Sequence, residues 1–188
     1  MIYFISDTHF FHYKEFLKRP ILGPEMDELL ISNWNSLVKP SDEIYHLGDF
    51  GYRLREDDGT NSDKLAELRK VFERLNGNKH LCRGNHDISN KVEKLKWGSV
   101  HDTKMLNFEG HRFFLSHYAH RTWPSKYHGT YHLYGHSHGQ LPGFGRSMDV
   151  GVDAEQYKQK YFPISALDVV DKLKEIEYIG KYDSSVEM

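Results

Sequence analysis

In the N-terminal half of the chain, short apolar runs alternate with segments whose apolar residues recur at helical spacing. Residues 2–6 and residues 43–47 are short and mostly apolar, which predicts two buried strands. Between them, residues 24–39 carry apolar side chains at helical spacing and predict an amphipathic helix, with Pro24 in its first turn and Pro40 after its end. This half therefore predicts a strand, a helix and a second strand in succession.

The alternation continues in the next part of the chain. Residues 62–76 predict a second helix, with Ser62 as its N-cap and Gly77 just past its end. The polar, glycine-bearing residues 51–61 predict the loop that precedes this helix. Residues 79–83 predict a third strand, so helices and strands still alternate at this point.

Strands crowd together in the second half. A closing helix is expected at residues 165–176, because Ser165 and Asp168 have the spacing of a capping box. The other elements that the pattern predicts are a hairpin at residues 104–116 and strands at residues 131–134 and 146–152.

The composition is that of a folded globular protein. The 188 residues are 38% hydrophobic and 14% aromatic, which is enough for a substantial core, and no repeat or linker interrupts them. We therefore expect residues 1–188 to form a single mixed α/β domain. The net charge of −2 lacks the basic excess typical of proteins that bind duplex nucleic acid, although a local field can still attract a small anion.

Signals for a membrane or for secretion are missing from the sequence. No apolar run approaches the roughly 20 residues needed to cross a bilayer. The N-terminus, MIYFISDTH, lacks the basic start and the long apolar stretch of a signal peptide. The single cysteine, Cys82, cannot form a disulfide within the chain, and its place in a predicted strand indicates a small buried residue. We therefore expect a cytoplasmic protein with no membrane partner.

Aspartate, histidine and asparagine residues gather just after the predicted strands. Because ligands of open α/β sheets bind outside the carboxyl ends of the strands, we expect these side chains to lie close together. Carboxylate, imidazole and amide ligands suit borderline divalent ions such as Mn, Fe, Zn, Co or Ni. The residues concerned are Asp7, His9, Asp49, Asn85, His86, Asp87, His117, His136 and His138.

Five short motifs in this part of the chain resemble those of one enzyme family. They are DTH, GD, GNHD, SH and GHSH, and they run in the family's order from Asp7 to His138. The ordered set resembles the metallophosphoesterases, also called calcineurin-like phosphoesterases. The later segments DVGVD and YFPIS resemble the tail of small bacterial, archaeal and phage members. The resemblance implies a four-layer α/β/β/α sandwich of two mixed sheets flanked by helices.

The resemblance also implies a role for each motif residue. The ligands it implies are Asp7, His9 and His138 for one divalent ion, Asn85, His117 and His136 for a second, and Asp49 as a bridge. Manganese is the expected ion, and Fe, Zn, Co and Ni are also compatible. His86 would assist the leaving group or the transition state, and Asp87 would hold the ring of His86.

Three further residues are candidates for substrate binding. Arg83, just before GNHD, would either face the phosphate or form a salt bridge at the sheet edge. His120 and Arg121 belong to the aromatic loop at residues 118–131, which follows the SH motif. That loop would either grip the substrate or pack over the core through Trp123.

The other histidines admit mostly structural interpretations. His12 lies three residues beyond His9 and would reach the rim of the site. His46 and His132 alternate with apolar neighbours in predicted strands, so we expect them in the core or on a sheet surface.

These expectations combine into a hydrolase of phosphate esters with two divalent metal ions, in which a metal-bound hydroxide attacks phosphorus in line. We favour a phosphodiesterase or a small-nucleotide phosphatase, because nearly all of the chain belongs to the core fold and the site should be open. One alternative is a nuclease on single-stranded nucleic acid, with Arg53, Arg55, Arg121 and Lys126 lining a groove. Another is a non-catalytic, metal-bound interaction module on the same fold. The sequence leaves the oligomeric state open.

Overall fold

The computed structural model describes residues 1–13, 19–52, 62–89, 91–154 and 161–176. Within these ranges the strands are β1 (Ile2–Ile5), β2 (Glu43–His46), β3 (Asn78–Cys82), β4 (Ser99–His101), β5 (Thr103–Phe108), β6 (His111–Ser116), β7 (Tyr131–Tyr134), β8 (Ser147–Asp149) and β9 (Ile164–Ser165). The helices are α1 (Pro24–Leu37), α2 (Ser62–Arg74), α3 (Asn85–Ser89) and α4 (Ala166–Leu173), with short 3-10 turns at Val92–Lys94 and Lys126–His128. No helix in this part of the chain is long and apolar enough to cross a bilayer.

The strands form two mixed sheets. The first sheet has the order β4-β3-β2-β1-β9, in which β1 to β4 are parallel and β9 pairs antiparallel with β1. The second has the order β5-β6-β7-β8, in which the β5–β6 hairpin is antiparallel and β6, β7 and β8 are parallel. The predicted α/β fold of two mixed sheets flanked by helices is confirmed.

Alternation along β1 places its side chains in two different cores. Phe4 points between the sheets, where its ring lies 5.4 Å from the ring of Phe113 on β6. Ile5 points the other way and packs with Leu30 of α1 and Leu68 of α2. The first sheet is therefore covered by α1 and α2 on one face and by the second sheet on the other.

The outer face of the second sheet is covered by the segment between β6 and β7. The ring of His132 on β7 lies 5.1 Å from Trp123 and 5.4 Å from His120, both in that segment. His132 and His46 are fully buried, which confirms the structural interpretation of both histidines. Cys82 is also buried, as expected.

Most predicted elements are found, with shorter bounds. The helix predicted at residues 165–176 is α4, and Ser165 is its N-cap because the Asp168 N–H donates to Ser165 Oγ at 3.1 Å; the Asp168 carboxylate accepts from the Ser165 hydroxyl at 2.6 Å. The strand predicted at residues 146–152 is limited to β8, after which Gly151 forms an isolated bridge with Ser6. Of the loop predicted at residues 51–61, residues 53–61 lie outside the described ranges.

Three short elements were not predicted from the sequence. The strands β4 and β9 have three and two residues, too few to show an apolar period, and they form because their backbones pair at the edges of the first sheet. The one-turn helix α3 begins at Asn85 of the GNHD motif, directly after β3.

Candidate metal centre

Every proposed ligand lies just beyond the end of a strand, at the edge where the two sheets meet. Asp7 and His9 follow β1, and the segment after β2 is tied to them because the Asp7 N–H donates to Gly48 O and the His9 N–H to Asp49 O, each at 3.0 Å. The Gly135 N–H, after β7, donates to His117 O at 3.0 Å. These backbone bonds join neighbouring strand ends within each sheet, and the His136 N–H, which donates to Asp7 Oδ2 at 2.9 Å, joins the ends of the two sheets.

Five of the proposed ligands adopt a backbone conformation that side chains rarely occupy. The φ angles are 58° for Asp7, 47° for His9, 57° for Asp49, 66° for His136 and 48° for His138. Left-handed backbone at a residue other than glycine costs free energy, and such residues concentrate at functional sites. Each strand end turns sharply here, which aims successive side chains at the same small volume.

Two groups of side chains are close enough to hold metal ions. Within each group the potential ligand atoms all lie within 4.8 Å of one another. The groups are Asp7, His9 and His138, and Asp49, His117 and His136. Asn85 joins the second group, because its Oδ1 lies 3.0 Å from His117 Nε2. The structure therefore brings all seven proposed ligands together in the two expected sets.

Asp49 lies between the two groups. Its Oδ2 is 3.7 Å from His9 Nε2 on one side and 3.5 Å from His117 Nε2 on the other. Its Oδ1 accepts a hydrogen bond from the His86 N–H at 2.9 Å, which orients the carboxylate. This placement matches the bridging role that the resemblance implies.

Several buried ligand atoms have no hydrogen-bond partner among the described residues. They include Asp7 Oδ1 and both ring nitrogens of His9. Burial raises the pKa of Asp7 and lowers the pKa of His9, because it disfavours the charged form of each group. Buried polar atoms of this kind are costly unless they are paired, so these residues fit a divalent cation.

Two buried carboxylates support the ligand-bearing loops from behind. Asp87 accepts the N–H groups of Asp49 at 2.9 Å, Phe50 at 3.0 Å and Gly84 at 2.7 Å. The resemblance suggested that Asp87 would hold the ring of His86, but its hydrogen bonds run to the backbone of two loops instead. Burial raises the pKa of Asp87 to about 7, against the lowering effect of those bonds.

Asp149 supports the loop that carries the last two ligands. Its Oδ2 accepts from Ser137 Oγ and from the Gly139 N–H, each at 2.8 Å. Ser137 and Gly139 alternate with His136 and His138 along the chain, so these bonds fix the loop that holds both rings. Asp149 is the first residue of DVGVD, a segment known only by its resemblance to the family, and this role of Asp149 was not predicted from the sequence.

His86 lies beside the two groups and belongs to neither. Its Nε2 is 3.9 Å from Asp49 Oδ2, and its ring is 5.5 Å from the ring of His9. The side chain is 37% exposed, so it faces the opening of the site. This position suits a group that contacts a substrate held by the ions.

A cavity of about 450 Å³ opens over the ligands. His12 lines it, which matches the rim position weighed for this residue beside a structural one. Tyr52 packs its ring 4.0 Å from that of His12, and Gln140 and Leu141 form another part of the wall. Tyr52, Gln140 and Leu141 were not predicted from the sequence, although each lies within a few positions of a motif.

The three tentative substrate-binding residues are not among those that line this cavity. Arg83 forms an ion pair with Asp102 at 2.8 Å, which matches the salt bridge weighed for it. His120 contacts Ser116 Oγ through its Nε2 at 3.1 Å. Arg121 stacks on the ring of Phe144 at 4.0 Å.

Tyr118 is a rim residue that the sequence analysis did not single out. Its ring lies 4.7 Å from that of His136, and its hydroxyl is 3.5 Å from Asn85 Oδ1. Its position directly after His117 is the signal that could have found it.

Comparison with known proteins agrees with this geometry. Residues 1–149 match the model of the calcineurin-like phosphoesterase superfamily domain. The chain belongs to that family. This phosphoesterase is therefore a phosphoester hydrolase from a family that uses divalent metal ions and acts on small phosphoester substrates.

Individual relatives extend the match over most of the chain. The phosphoesterase is 32% identical over 184 residues to an uncharacterised protein of Methanocaldococcus jannaschii, covering 93% of this chain and 91% of the relative. A crystal structure of a protein of unknown function from Aquifex aeolicus is 27% identical with a TM-score of 0.66, covering 92% of this chain and 98% of the other. An archaeal phosphodiesterase is more distant, at 18% identity and a TM-score of 0.43 over 80% of this chain and 81% of the other.

Proposed function

We propose that this phosphoesterase uses two divalent ions to hydrolyse phosphodiesters or small phosphorylated nucleotides. The observation that carries the proposal is the pair of ligand groups with Asp49 between them. One ion would be held by Asp7, His9 and His138, and the other by Asn85, His117 and His136. When bound, the ions would supply polarisation of the phosphoryl group and activation of water.

The protein's own residues would orient this chemistry. Asp49 would contact both ions, and Asn85 would contribute an oxygen without adding negative charge. Because Asp7 and Asp49 are the only carboxylates in the two ligand groups of the described structure, the loaded centre keeps a net positive charge. That charge would attract the phosphate group of a substrate.

His86 would deliver a proton to the oxygen that leaves phosphorus. Its ring lies beside Asp49 and faces the cavity, so it can reach a phosphate held over the two ligand groups. A histidine that contacts the leaving oxygen can act as its general acid. Asp87 would act indirectly, because it fixes the backbone on both sides of the site.

The walls of the cavity support a substrate with groups on both sides of the phosphate. His12 and Tyr52 form one aromatic part of the wall, and Leu141 offers an apolar surface that is 48% exposed. A diester or a nucleotide could place a planar group against either surface. Lys126 packs against Phe144 and Trp123, so it does not supply the groove that a nuclease would need, and Arg53 and Arg55 lie outside the described ranges.

Further parts of the proposal rest on the site and on the sequence. We propose manganese as the working ion, and a cytoplasmic location in which the single cysteine, Cys82, stays reduced. We also propose that residues 1–188 act as one domain, because both sheets deliver ligands to the same centre.

A metal-replacement assay tests this function. Metal-stripped protein would be re-supplied with Mn, Ni, Co, Zn or Mg and assayed on bis-p-nitrophenyl phosphate and p-nitrophenyl phosphate. We expect no turnover without metal, restored turnover with Mn, and a higher rate on the diester. Inactivity towards both substrates with two bound ions confirmed would favour the interaction module, and salt-sensitive cleavage of single-stranded oligonucleotides would favour the nuclease.

A further inference from the structure

A buried ion pair joins two segments that flank the candidate metal centre. Arg19 precedes α1, and Asp153 follows β8. Arg19 Nε donates to Asp153 Oδ1 at 2.8 Å, and Arg19 Nη2 donates to Asp153 Oδ2 at 2.9 Å. The two side chains are only 3% and 9% exposed. A buried charge pair is costly to maintain unless its geometry is good, which is the case for this two-pronged contact.

The same guanidinium holds the backbone that carries two ligands. Arg19 Nη2 donates to Asp7 O at 2.8 Å, and Nη1 donates to Thr8 O at 2.9 Å. Asp7 and His9 both have left-handed backbone, so the peptide groups between them must be held in an unusual direction. Arg19 fixes those two carbonyl groups and thereby the aim of both side chains.

Asp153 completes the arrangement by contacting the third ligand of the same group. Its Oδ2 lies 2.9 Å from His138 Nδ1. A carboxylate only accepts hydrogen bonds, so Nδ1 carries a proton, and in the neutral ring Nε2 then keeps its lone pair. A lone pair on Nε2 is what a metal ion at Asp7 and His9 requires. On the opposite group, His117 Nδ1 donates to a neutral acceptor, Leu47 O, at 2.8 Å.

We propose that Arg19 and Asp153 are positioning residues for one of the two metal sites. Asp153 sets the tautomer and direction of the His138 ring, while Arg19 anchors Asp153 and the backbone of Asp7. The inference rests on the proposed function, because it concerns how the chain holds one of the two ions. It predicts that loss of the pair weakens the site of Asp7, His9 and His138 and spares the other.

The first test titrates the metal-stripped protein with Mn²⁺ and measures the free Mn²⁺ by electron paramagnetic resonance. In Asp153→Asn the amide can donate to His138 Nδ1, which favours the proton on Nε2. We expect about 10- to 100-fold weaker binding at one of two sites, which is the usual effect of losing such a partner. Arg19→Lys keeps the positive charge but loses the two-pronged contact with Asp153, so it should weaken the same site less than Asp153→Asn does. Unchanged affinity at both sites in Asp153→Asn would overturn the inference.

The chain offers a matched control for the loss of an ion pair. Arg74 Nη1 and Nη2 contact Glu28 at 2.7 and 2.6 Å in a similar fork on the exposed surface between α1 and α2. Glu28→Gln should leave both Mn²⁺ affinities unchanged. If wild-type protein binds no divalent ion at all, the proposed function fails. If it binds two ions and Asp153→Asn binds them equally well, only the positioning role fails.

A second measurement is made on the wild-type protein and uses a variant only to assign the signal. The long-range ¹H–¹⁵N spectrum of metal-stripped wild-type protein reports the tautomer of each histidine, and His138→Gln assigns the signal by its loss. We expect His138 to carry its proton on Nδ1. A proton on Nε2 would overturn the inference.

Discussion

Asp49 is the residue on which the two ligand groups converge. Its backbone N–H is held by Asp87, its Oδ1 by the N–H of His86, and its Oδ2 lies between His9 and His117. The motif GD predicted this residue but not its contacts, because those contacts come from three other segments. At the scale of the residue, the sequence identifies the chemistry and the neighbours set its direction.

His86→Ala tests whether His86 acts in catalysis and not in metal binding. We expect the variant to bind metal as the wild type does and to lose about 10²- to 10⁴-fold in kcat, which is the usual contribution of a general acid. Metal content by mass spectrometry and kcat on the diester would be measured together. His128→Ala removes an exposed histidine that does not line the cavity and serves as the control. A metal-loaded His86→Ala enzyme with normal kcat would exclude the catalytic role.

At the scale of the element, the loops after β2 and β3 pack directly against each other. Gly48 has a φ of +100°, and a methyl group there would lie 2.6 Å from Gly84 N. A methyl group on Gly84 would overlap the carboxylate of Asp49. The glycines of the GD and GNHD motifs therefore let two strand ends approach closely enough to share one site.

Gly84→Ala should separate these two loops. The added methyl group must push Asp49 away from its place between the ligand groups, so we expect metal affinity to fall at least about tenfold, with about 1–3 kcal/mol lost from the free energy of unfolding. Calorimetric metal titration and urea unfolding measure the two effects. Gly110→Ala lies at a hairpin turn with a φ of +79° and open space around it, so it should cost about 1–2 kcal/mol through backbone strain and leave metal affinity unchanged. Equal metal affinity in wild type and Gly84→Ala would contradict this account of the loops.

At the scale of the whole molecule, two buried histidines make the stability of the fold depend on pH. Burial lowers the pKa of His46 to about 3 and that of His132 to about 4. Each ring is neutral in the folded chain: His46 Nδ1 accepts the Gly48 N–H at 3.2 Å, and His132 Nε2 accepts the His120 N–H at 2.9 Å. Unfolding releases both rings to their ordinary pKa.

These two histidines should therefore lower the stability of the folded protein as the pH falls below about 6.5. At these two rings the unfolded chain binds more protons than the folded chain, so each histidine contributes about 1.4 kcal/mol of stability between pH 5.5 and 7.5, while the raised pKa of Asp87 acts in the opposite direction. Urea unfolding of metal-stripped protein at both pH values measures the total. His132→Gln should reduce the difference between them by about that amount. If the variant keeps the full wild-type difference, His132 does not remain neutral in the fold.

The sequence by itself determined the alternation of helices and strands, the seven positions proposed as ligands and the family resemblance, because each depends on local patterning or on short motifs. Its alternation of apolar and polar positions also assigned His46 and His132 to structural places. These inferences hold because the residues involved act through their own type and spacing.

Tertiary structure alone decided which distant residues support the centre. Arg19 and Asp153 are 134 positions apart, and no local pattern marks them as partners. The same is true of Asp87, which supports the backbone of two loops, and of β4 and β9, which exist only through pairing at sheet edges. Such contacts form because folding brings strand ends from both sheets to one edge, and buried polar groups must then find whichever partners that edge supplies.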